Sequence, residues 1–328
     1  MAVYNAERYL CEAVSSVLEQ SFGDFLLLCM YEKTSTDASL EILNSFATKD
    51  NRVKIIPNYG FEKSLIDSLN QGLLMVDSEY VARMDADDIC NKDRFKIELE
   101  FLDNHNDIDI VGSCVDIIGD LTDEQYNEHI LRFNFPMNHN NAREIMLTYW
   151  YCFINSSAVF RSTVIRSVGL YKHGMGEDFD FWLRCLRNGH RIFKLDNKLV
   201  TYRVHHESLT QQIIPNGIAA SEAFQIKLND VFTMQDTCRL TYLIWGAGTG
   251  GQVTKQVLDG QTERFACKGF VDAYKTGTFL GHNIYRPDEL TALDYDYLFI
   301  ATVPGKEIAI ERLKKLGKKN IKDFLCSV

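Results

Sequence analysis

Three carboxylates occur within four residues at the end of a short apolar run. Tyr80–Met84 is predicted to be a strand, and Asp85, Asp87 and Asp88 follow it. If the backbone stays extended, Asp85 and Asp87 point to the same side, because side chains two apart on a strand share a face. Adjacent carboxylates repel, and Mg2+ or Mn2+ bound together with phosphate oxygens would relieve the repulsion. Capping of the following helix by these short acids is the alternative interpretation.

The elements before this run alternate between strands and helices. The predicted strands are Phe25–Met30 and Val53–Ile56. Three helices are predicted: the first is capped by Asn5, the second is capped by Ser35–Asp37, and the third covers about residues 64–74. Such alternation predicts βαβ units and a parallel sheet. Ligands bind at the carboxyl ends of parallel strands, and the acidic run falls at one of those ends.

The composition excludes several other classes of protein. The chain has 328 residues, of which 46% are hydrophobic and 24% charged, as expected for folded domains with more than one core. Its net charge of −10 argues against a nucleic-acid partner. The apolar runs are much shorter than the ~20 residues of a transmembrane helix, and the start of the chain does not resemble a signal peptide. The nine cysteines show no C-x-x-C spacing, which favours a reduced cytosolic protein without zinc or disulfides.

Several motifs resemble, in order and spacing, those of the family 2 glycosyltransferases, which have the GT-A fold. The earlier ones are Tyr4–Leu10, Ser35–Leu43, Ser68–Gly72 and Ala82–Asp88. The later ones are Asn155–Arg161, Gly176–Arg184 and Tyr202–His205. A set of motifs in matching order is more specific than any one of them, and the resemblance covers the chain up to about residue 210.

The resemblance implies transfer of a hexose from a nucleotide-diphosphate sugar, usually with inversion at the anomeric carbon. UDP-glucose or UDP-galactose is the expected donor. A hydroxyl of a glycan or glycoprotein is the expected acceptor, as in bacterial surface-glycan and adhesin glycosylation. The resemblance assigns Asp85 and Asp87 to a D-x-D motif that holds Mn2+ or Mg2+ beside the departing diphosphate, with His205 as a further metal ligand. Tyr4 and Arg83 match positions that line the nucleotide pocket.

The resemblance assigns the general base to Asp178, which would take the proton of the acceptor hydroxyl. Apolar residues recur at helical spacing after it, so Glu177 and Asp178 are predicted to start a helix whose dipole favours the charged carboxylate. Plain capping of that helix is the alternative for Asp178, and Asp180 is the second candidate base. For His205 the alternative is an ordinary hydrogen bond, and for Tyr4 and Arg83 it is packing.

Two departures from the family pattern leave the activity open. The family uses an aspartate to bind the nucleotide base, and Glu32 and Lys33 stand in the corresponding places. Glu32 could accept a hydrogen bond from a uracil N–H, whereas the ammonium group of Lys33 cannot accept one. Only Met1–Val3 precede the tyrosine, so the first strand of the fold is expected to be truncated. A catalytically weak or inactive binding and assembly subunit is therefore the alternative to an active transferase.

A second nucleotide-binding pattern follows Leu240–Trp245, a predicted strand. Gly246, Gly248 and Gly251 form G-x-G-x-x-G before a predicted helix, and Asp272 lies about 20 residues further along the chain. This pattern predicts a Rossmann-like fold in which these four residues bind a nucleotide. The segment also resembles small domains attached to bacterial sugar-modifying enzymes. Three roles are open: an oligomerising or acceptor-binding part, a regulatory nucleotide site, or an NAD-dependent oxidoreductase.

Together these patterns predict an α/β protein of two domains. Residues 1–212 are assigned to a GT-A nucleotide-diphospho-sugar transferase domain, residues 213–237 to a helical linker and residues 238–328 to a smaller Rossmann-like α/β domain. The expected location is the cytoplasm or the membrane periphery, and a homo-oligomer would form through the carboxyl-terminal domain.

Overall fold

The computed structural model describes residues 1–58, 65–149, 152–208, 218–232 and 239–328. They belong to two units. The first unit comprises Met1–Arg143, Tyr151–His173 and Asp180–Ser208. The second comprises Glu144–Trp150, Gly174–Phe179 and Leu209–Val328. Two short segments that precede residue 180 therefore belong to the second unit, and the domain limits at residues 212 and 238 stay predictions.

The first unit begins with a parallel sheet of three strands. They are β1 (Ala2–Val3), β2 (Leu27–Glu32) and β3 (Val53–Asn58), adjacent in that order. The helices α1 (Glu7–Leu18), α2 (Ser39–Lys49) and α3 (Leu65–Leu74) follow the three strands in turn. The predicted βαβ units are confirmed, since parallel neighbours require a crossover between them. Glu32 and Asn58 are partners in the register, so the two strands end together at the carboxyl edge.

The starts of α1 and α2 stabilise each other. Asp37 Oδ2 accepts the backbone N–H of Glu7 at 2.8 Å, and Glu7 Oε2 accepts the N–H that precedes α2, also at 2.8 Å. The residue that caps α2 is Ala38, outside the predicted Ser35–Asp37, but Asp37 Oδ1 accepts the N–H of Ser39 at 3.1 Å and so satisfies a helix-start donor from one residue earlier. Asn5 has φ 44° and its side chain accepts from the loop before α2, so its predicted role as the cap of α1 is wrong.

A second sheet of the first unit has five strands and mixed direction. Its strands are β4 (Tyr80–Ala82), β5 (Ile89–Cys90), β6 (Ile110–Gly119), β7 (Val159–Arg161) and β8 (Ile192–Val204), in the order β4-β7-β6-β8-β5. β6 and β8 are the parallel neighbours in this sheet, and the other pairs are antiparallel. The strand before the acidic run pairs with β7 and does not extend the parallel sheet, which corrects that prediction. Alternation along the chain identifies crossovers, but not a partner strand that arrives much later.

Further helices lie between residues 94 and 187, and those at residues 94–104 and 123–133 pack against β6. They are α4 (Arg94–Asn104), α5 (Asp123–Phe133), α6 (Ala142–Thr148), α7 (Thr163–Val168) and α8 (Glu177–Arg187), with a 3-10 turn at Asn155–Ser157. Phe181 and Trp182 of α8 are buried and pack against Phe160 of β7. The predicted helix that starts at Glu177 is confirmed.

The second unit contains a six-stranded sheet. Its strands are β9 (Leu240–Trp245), β10 (Phe265–Val271), β11 (Gly277–Phe279), β12 (His282–Tyr285), β13 (Tyr297–Ile300) and β14 (Phe324–Cys326), in the order β11-β12-β10-β9-β13-β14. Neighbouring strands are parallel except for β11 against β12. The helices are α9 (Ile218–Val231), α10 (Thr249–Asp259) and α11 (Lys306–Lys315). A central first strand flanked by the second on one side and a later one on the other is the Rossmann-like arrangement that the sequence predicts.

A buried ion pair on α4 gives a test of the first unit's stability. Arg94 Nε lies 2.9 Å from Glu98 Oε2, both side chains are fully buried, and Arg94 also donates to the carbonyl of Ala158. Removal of Glu98 would leave a buried guanidinium charge without its carboxylate, which costs about 3–5 kcal/mol. We expect Glu98→Leu to lower the free energy of unfolding by this amount in urea denaturation. The double variant Arg94→Met with Glu98→Leu should recover most of the loss, and a double variant as unstable as the single one would contradict this account.

Candidate active site

The acidic run forms a turn between β4 and β5. β4 ends at Ala82, and residues 86–87 lie in a turn, so the prediction that an extended backbone aligns Asp85 with Asp87 is wrong. The physical reason is that Asp88 turns inward to partners inside the unit. The turn still brings the first two acids together. Burial raises the pKa of Asp87, and the negative charge of Asp85 raises it further.

Arg83 orients the first of these acids. Its Nη2 donates to Asp85 Oδ1 at 3.0 Å, and its side chain is only 6% exposed while that of Asp85 is 37% exposed. A buried guanidinium is always charged, so it holds one carboxylate oxygen in a fixed place. The contact of Arg83 with Asp85 is a finding of the structure, and the predicted role of Arg83 in a nucleotide pocket stays a prediction.

His205 contacts the second acid. Its Nε2 lies 2.9 Å from Asp87 Oδ2, and its ring lies 4.9 Å from the ring of Tyr9, centroid to centroid. Interaction with His205 lowers the pKa of Asp87, against the effects of burial and Asp85. The structure therefore brings Asp85, Asp87 and His205 together. For His205 it shows a hydrogen bond, which was the alternative to a role as a metal ligand.

This cluster has the chemistry of a cation and phosphate site. Within the ranges that the structure describes, no group of three or more His, Cys, Asp or Glu side chains is arranged to hold a metal. Two carboxylates nevertheless suit Mn2+ or Mg2+ when diphosphate oxygens and water supply the other ligands. His205 Nδ1 is buried and has no hydrogen-bond partner among the described residues, which fits a site that a ligand completes. Asp85 and Asp87 are thus compatible with a metal whose other ligands come from diphosphate and water, and the ligand roles of Asp85, Asp87 and His205 stay predictions.

Asp88 anchors the acidic turn to the interior. Its Oδ2 accepts the hydroxyl of Ser156 at 2.5 Å, and its Oδ1 accepts the backbone N–H of Arg203 at 2.8 Å. The carboxyl group is almost fully buried, and burial, followed by the charges of Asp87 and Asp85, raises its pKa well above the usual value. Asp88 therefore joins the turn to the 3-10 turn on one side and to the end of β8 on the other.

Arg203 secures the same turn from β8. Its Nε donates to the backbone carbonyl of Asp87 at 2.8 Å, its guanidinium lies 4.3 Å from the ring centroid of Tyr9, and it pairs with Glu12. The sequence argument missed Arg203 and the anchoring role of Asp88. A signal was available for the arginine: it lies at the end of β8, two residues before His205, which follows the strand directly.

The predicted nucleotide pocket lies at the carboxyl edge of the parallel sheet. Tyr4 follows β1 and is 59% exposed, and Glu32 is the last residue of β2 and is buried. The Glu32 carboxylate accepts from Asn58 Nδ2 at 3.1 Å and from the hydroxyl of Thr34 at 3.3 Å. The following Lys33 is exposed. Glu32 is thus the acceptor fixed at this edge, while base binding by Glu32 and Tyr4 stays a prediction.

The predicted general base lies in the second unit. Asp178 is the second residue of α8, and its Oδ1 accepts the N–H of Phe179 at 2.7 Å. Asp180 belongs to the first unit and pairs with Arg184 Nε at 2.7 Å and with Lys172 at 4.0 Å. These ion pairs already occupy the Asp180 carboxylate, so Asp180 is the weaker candidate for a proton acceptor. The position of Asp178 at a helix start agrees with the sequence, and its catalytic role stays a prediction.

The glycine pattern of the second unit shapes the connection from β9 to α10. Gly246 has φ +120°, which favours glycine. A Cβ at Gly251 would lie 2.0 Å from the carbonyl oxygen of Gly246, so the helix approaches the strand too closely for any side chain. A Cβ at Gly248 would lie 3.9 Å from Lys275 Nζ. Gly246 and Gly251 therefore have the conformational and packing roles expected of this pattern, whereas a side chain at Gly248 would meet only an ordinary contact.

Asp272 fixes the same connection. Its carboxylate accepts the backbone N–H groups of Ala247 at 3.0 Å, Tyr274 at 2.9 Å and Lys275 at 3.0 Å. Burial opposes ionisation, yet these hydrogen bonds lower the pKa of Asp272. The structure thus gives Asp272 a loop-holding role, which weakens the dehydrogenase interpretation because that interpretation needs this carboxylate for a ribose. Nucleotide binding by Gly246, Gly248, Gly251 and Asp272 stays a prediction.

Comparison with known proteins identifies the family. The family model described as glycosyl transferase family 2 matches residues 1–169, and the model described as C2185-like, N-terminal, matches residues 239–322. The chain belongs to glycosyl transferase family 2, as the sequence motifs predict. It is 32% identical over 212 residues to an uncharacterized glycosyltransferase of Haemophilus influenzae, and the match covers 62% of this chain. The match covers 64% of that relative, so this chain spans less than two thirds of the relative's length. It is 29% identical over 212 residues to the O-antigen biosynthesis glycosyltransferase WbnJ of Escherichia coli, with 63% and 79% covered.

Solved structures share the fold at low sequence identity. The S. aureus protein TarS, residues 1–349 in complex with UDP-GlcNAc, aligns with a TM-score of 0.55 at 20% identity, over 71% of this chain and 66% of that one. The mannosyltransferase PcManGT from Pyrobaculum calidifontis, in complex with GDP-Man and Mn2+, aligns with a TM-score of 0.55 at 15% identity, over 80% and 67%. These matches confirm the predicted GT-A fold followed by a further domain.

In the described part of the chain, no helix combines the length and the apolar character that a membrane crossing requires.

The anchoring role of Asp88 gives a second test. In Asp88→Asn the amide oxygen can accept the N–H of Arg203 while Nδ2 donates to the hydroxyl oxygen of Ser156, so the melting temperature should change little. Asp88→Ala leaves the hydroxyl of Ser156 and the N–H of Arg203 without their acceptor, which should cost about 2 kcal/mol or more of unfolding free energy. Thermal melts of both variants measure the difference. Equal stability of the asparagine and alanine variants would refute the anchoring role.

Proposed function

We propose that this protein transfers a hexose from a nucleotide-diphosphate sugar to a hydroxyl of a glycan or glycoprotein, with inversion at the anomeric carbon. UDP-glucose or UDP-galactose is the proposed donor. The observation that carries the proposal is the cluster of Asp85, Asp87 and His205 at the end of β4, in a chain of this family. The relatives support the class of substrate, since one acts in O-antigen biosynthesis and the solved structures contain UDP-GlcNAc or GDP-Man.

The donor would be bound by groups at two strand ends. Glu32 accepts hydrogen bonds and is held by Asn58, so it could receive a base N–H. Tyr4 offers an exposed aromatic ring beside it. A divalent cation held by Asp85 and Asp87 would supply positive charge beside the diphosphate, where negative charge grows as the glycosidic bond breaks. Arg83 and His205 keep the two carboxylates oriented, each through one hydrogen bond.

The acceptor would be activated by Asp178. A hydroxyl that attacks the anomeric carbon must lose its proton, and a carboxylate at a helix start stays ionised at neutral pH. Asp180, which is paired with Arg184, is less suited to the task. A catalytically weak binding subunit was the alternative, and the fixed Glu32 carboxylate at the carboxyl edge of the parallel sheet supports an active transferase instead.

A panel of nucleotide sugars tests the activity itself. Purified protein is incubated with each donor and Mn2+, with and without candidate glycan acceptors, and release of the nucleoside diphosphate is measured. We expect release with a UDP-hexose in the presence of Mn2+. No release or transfer with any donor would favour the binding subunit.

The metal-binding acids give a sharper test. We expect Asp87→Ala to weaken Mn2+-dependent binding of UDP roughly tenfold or more, because the variant lacks a carboxylate oxygen that would hold the cation. Isothermal titration with UDP, with and without Mn2+, measures the effect. Asp116→Ala, which removes an acid paired with Lys198 on the same unit, is the matched control and should bind as the wild type does. Unchanged Mn2+-dependent binding in Asp87→Ala would exclude this residue as a ligand.

Loss of the general base should affect turnover and leave donor binding unchanged. Asp178→Asn removes proton acceptance while keeping the shape of the side chain, so kcat should fall by about 100-fold or more. Affinity for the donor should stay within a factor of about two, since the base acts on the acceptor. Full turnover by Asp178→Asn would show that another group takes the proton.

A further inference from the structure

The segment that carries Asp178 is held by a helix of the second unit. Both the segment, Gly174–Phe179, and α9 belong to that unit. Glu222 of α9 accepts the backbone N–H of Met175 on its Oε2 at 2.5 Å. The same oxygen lies 3.6 Å from the position that a Cβ of Gly174 would occupy. One carboxylate therefore contacts two consecutive residues of the segment, three and four positions before Asp178.

A second contact lies one helical turn further along α9. Ile226 follows Glu222 by four residues, so the two side chains share a face of the helix. Its Cδ1 lies 3.6 Å from the Cβ position of Gly176. The path of the segment itself depends on glycine, because Gly174 and Gly176 have φ +141° and +85°, a region that side chains disfavour.

α9 is firmly fixed in the second unit. Phe224 is buried and its ring lies 5.4 Å from that of Phe299 in β13, centroid to centroid. Lys227 is fully buried and its Nζ donates to the carbonyl of Cys326 in β14 at 2.9 Å. Gln225 accepts from Gln261 at 3.1 Å. The face that holds Gly174–Phe179 thus belongs to a helix packed on the Rossmann-like sheet.

We infer that Glu222 is a positioning residue for the proposed general base, Asp178. The inference rests on the proposed function of Asp178. The Met175 N–H can be fixed only by an acceptor, and Glu222 Oε2 is the acceptor that the structure supplies. Without it, the backbone before α8 would gain freedom, and the Asp178 carboxylate would lose its fixed position. A misplacement of about 1 Å can cost up to 100-fold in rate.

The experiment compares three substitutions at Glu222 in the full chain. Glu222→Ala removes the acceptor, Glu222→Asp shortens its reach by one methylene, and Glu222→Gln keeps an acceptor oxygen of the same length. We expect kcat to fall roughly tenfold or more in the alanine variant, to fall in the aspartate variant, and to stay near the wild-type value in the glutamine variant. Affinity for UDP with Mn2+ should stay unchanged in all three. Glu311→Ala, which removes an exposed acid paired with Lys315 in the second unit, is the control.

Hydrogen exchange gives a readout that a general loss of stability would not produce. We expect faster exchange in peptides that cover residues 171–180 in the alanine and aspartate variants, with unchanged exchange in β9 and β13. The aspartate variant keeps the experiment decisive if the alanine variant does not fold.

The outcomes separate the inference from the proposed function. An active wild type, with kcat and exchange unchanged in the alanine and aspartate variants, overturns the role of Glu222 and leaves the transferase standing. An equal fall of kcat in the glutamine variant also overturns the hydrogen-bond role. A wild type that turns over no donor overturns the proposed function and this inference together.

Discussion

The crowding of negative charge between β4 and β5 is the constraint that the first unit must satisfy. Asp85, Asp87 and Asp88 lie within four residues, and burial makes their mutual repulsion more expensive than it would be in water. In the structure each of the three acids has a different partner. Arg83 holds the first and His205 holds the second, while the third is placed inside among neutral hydrogen-bond donors. The turn is left with two oriented carboxylates and a surplus of negative charge suited to a cation.

The partners of these acids come from distant parts of the chain. Ser156 belongs to a 3-10 turn, Arg203 lies at the end of β8, and His205 follows that strand. Tyr9 of α1 contacts both Arg203 and His205. The acidic motif is therefore positioned by the assembled unit and not by its own strand. The second unit shows the same principle, since the segment with Asp178 is fixed by α9 through backbone contacts.

The sequence predicts the elements better than their partners. The two βαβ units and the helix start at Glu177 follow from local signals, namely apolar periodicity and residues that favour helix starts. The pairing of β4 with β7 depends on a strand much later in the chain, and local patterns contain no information about it. The sequence did not predict the turn at Asp87. The turn arises because Asp88 is buried, and its hydrogen bonds to Ser156 and β8 come from distant parts of the chain. Residue types thus predict which residues form the candidate site, whereas its geometry is set by long-range contacts.

The reciprocal capping of α1 and α2 restricts how this fold can be re-engineered. Asp37 and Glu7 each stabilise the start of the other residue's helix, and Asn5 N–H is bound to Ser35 in the same loop. An insertion between Ser35 and Ser39 would unwind two helix starts at once. Exchange of the loop after β2 with that of a relative, as a route to new nucleotide preference, is therefore best confined to Lys33 and Thr34. Sequence variation in this loop is limited because the loop also stabilises the start of α1.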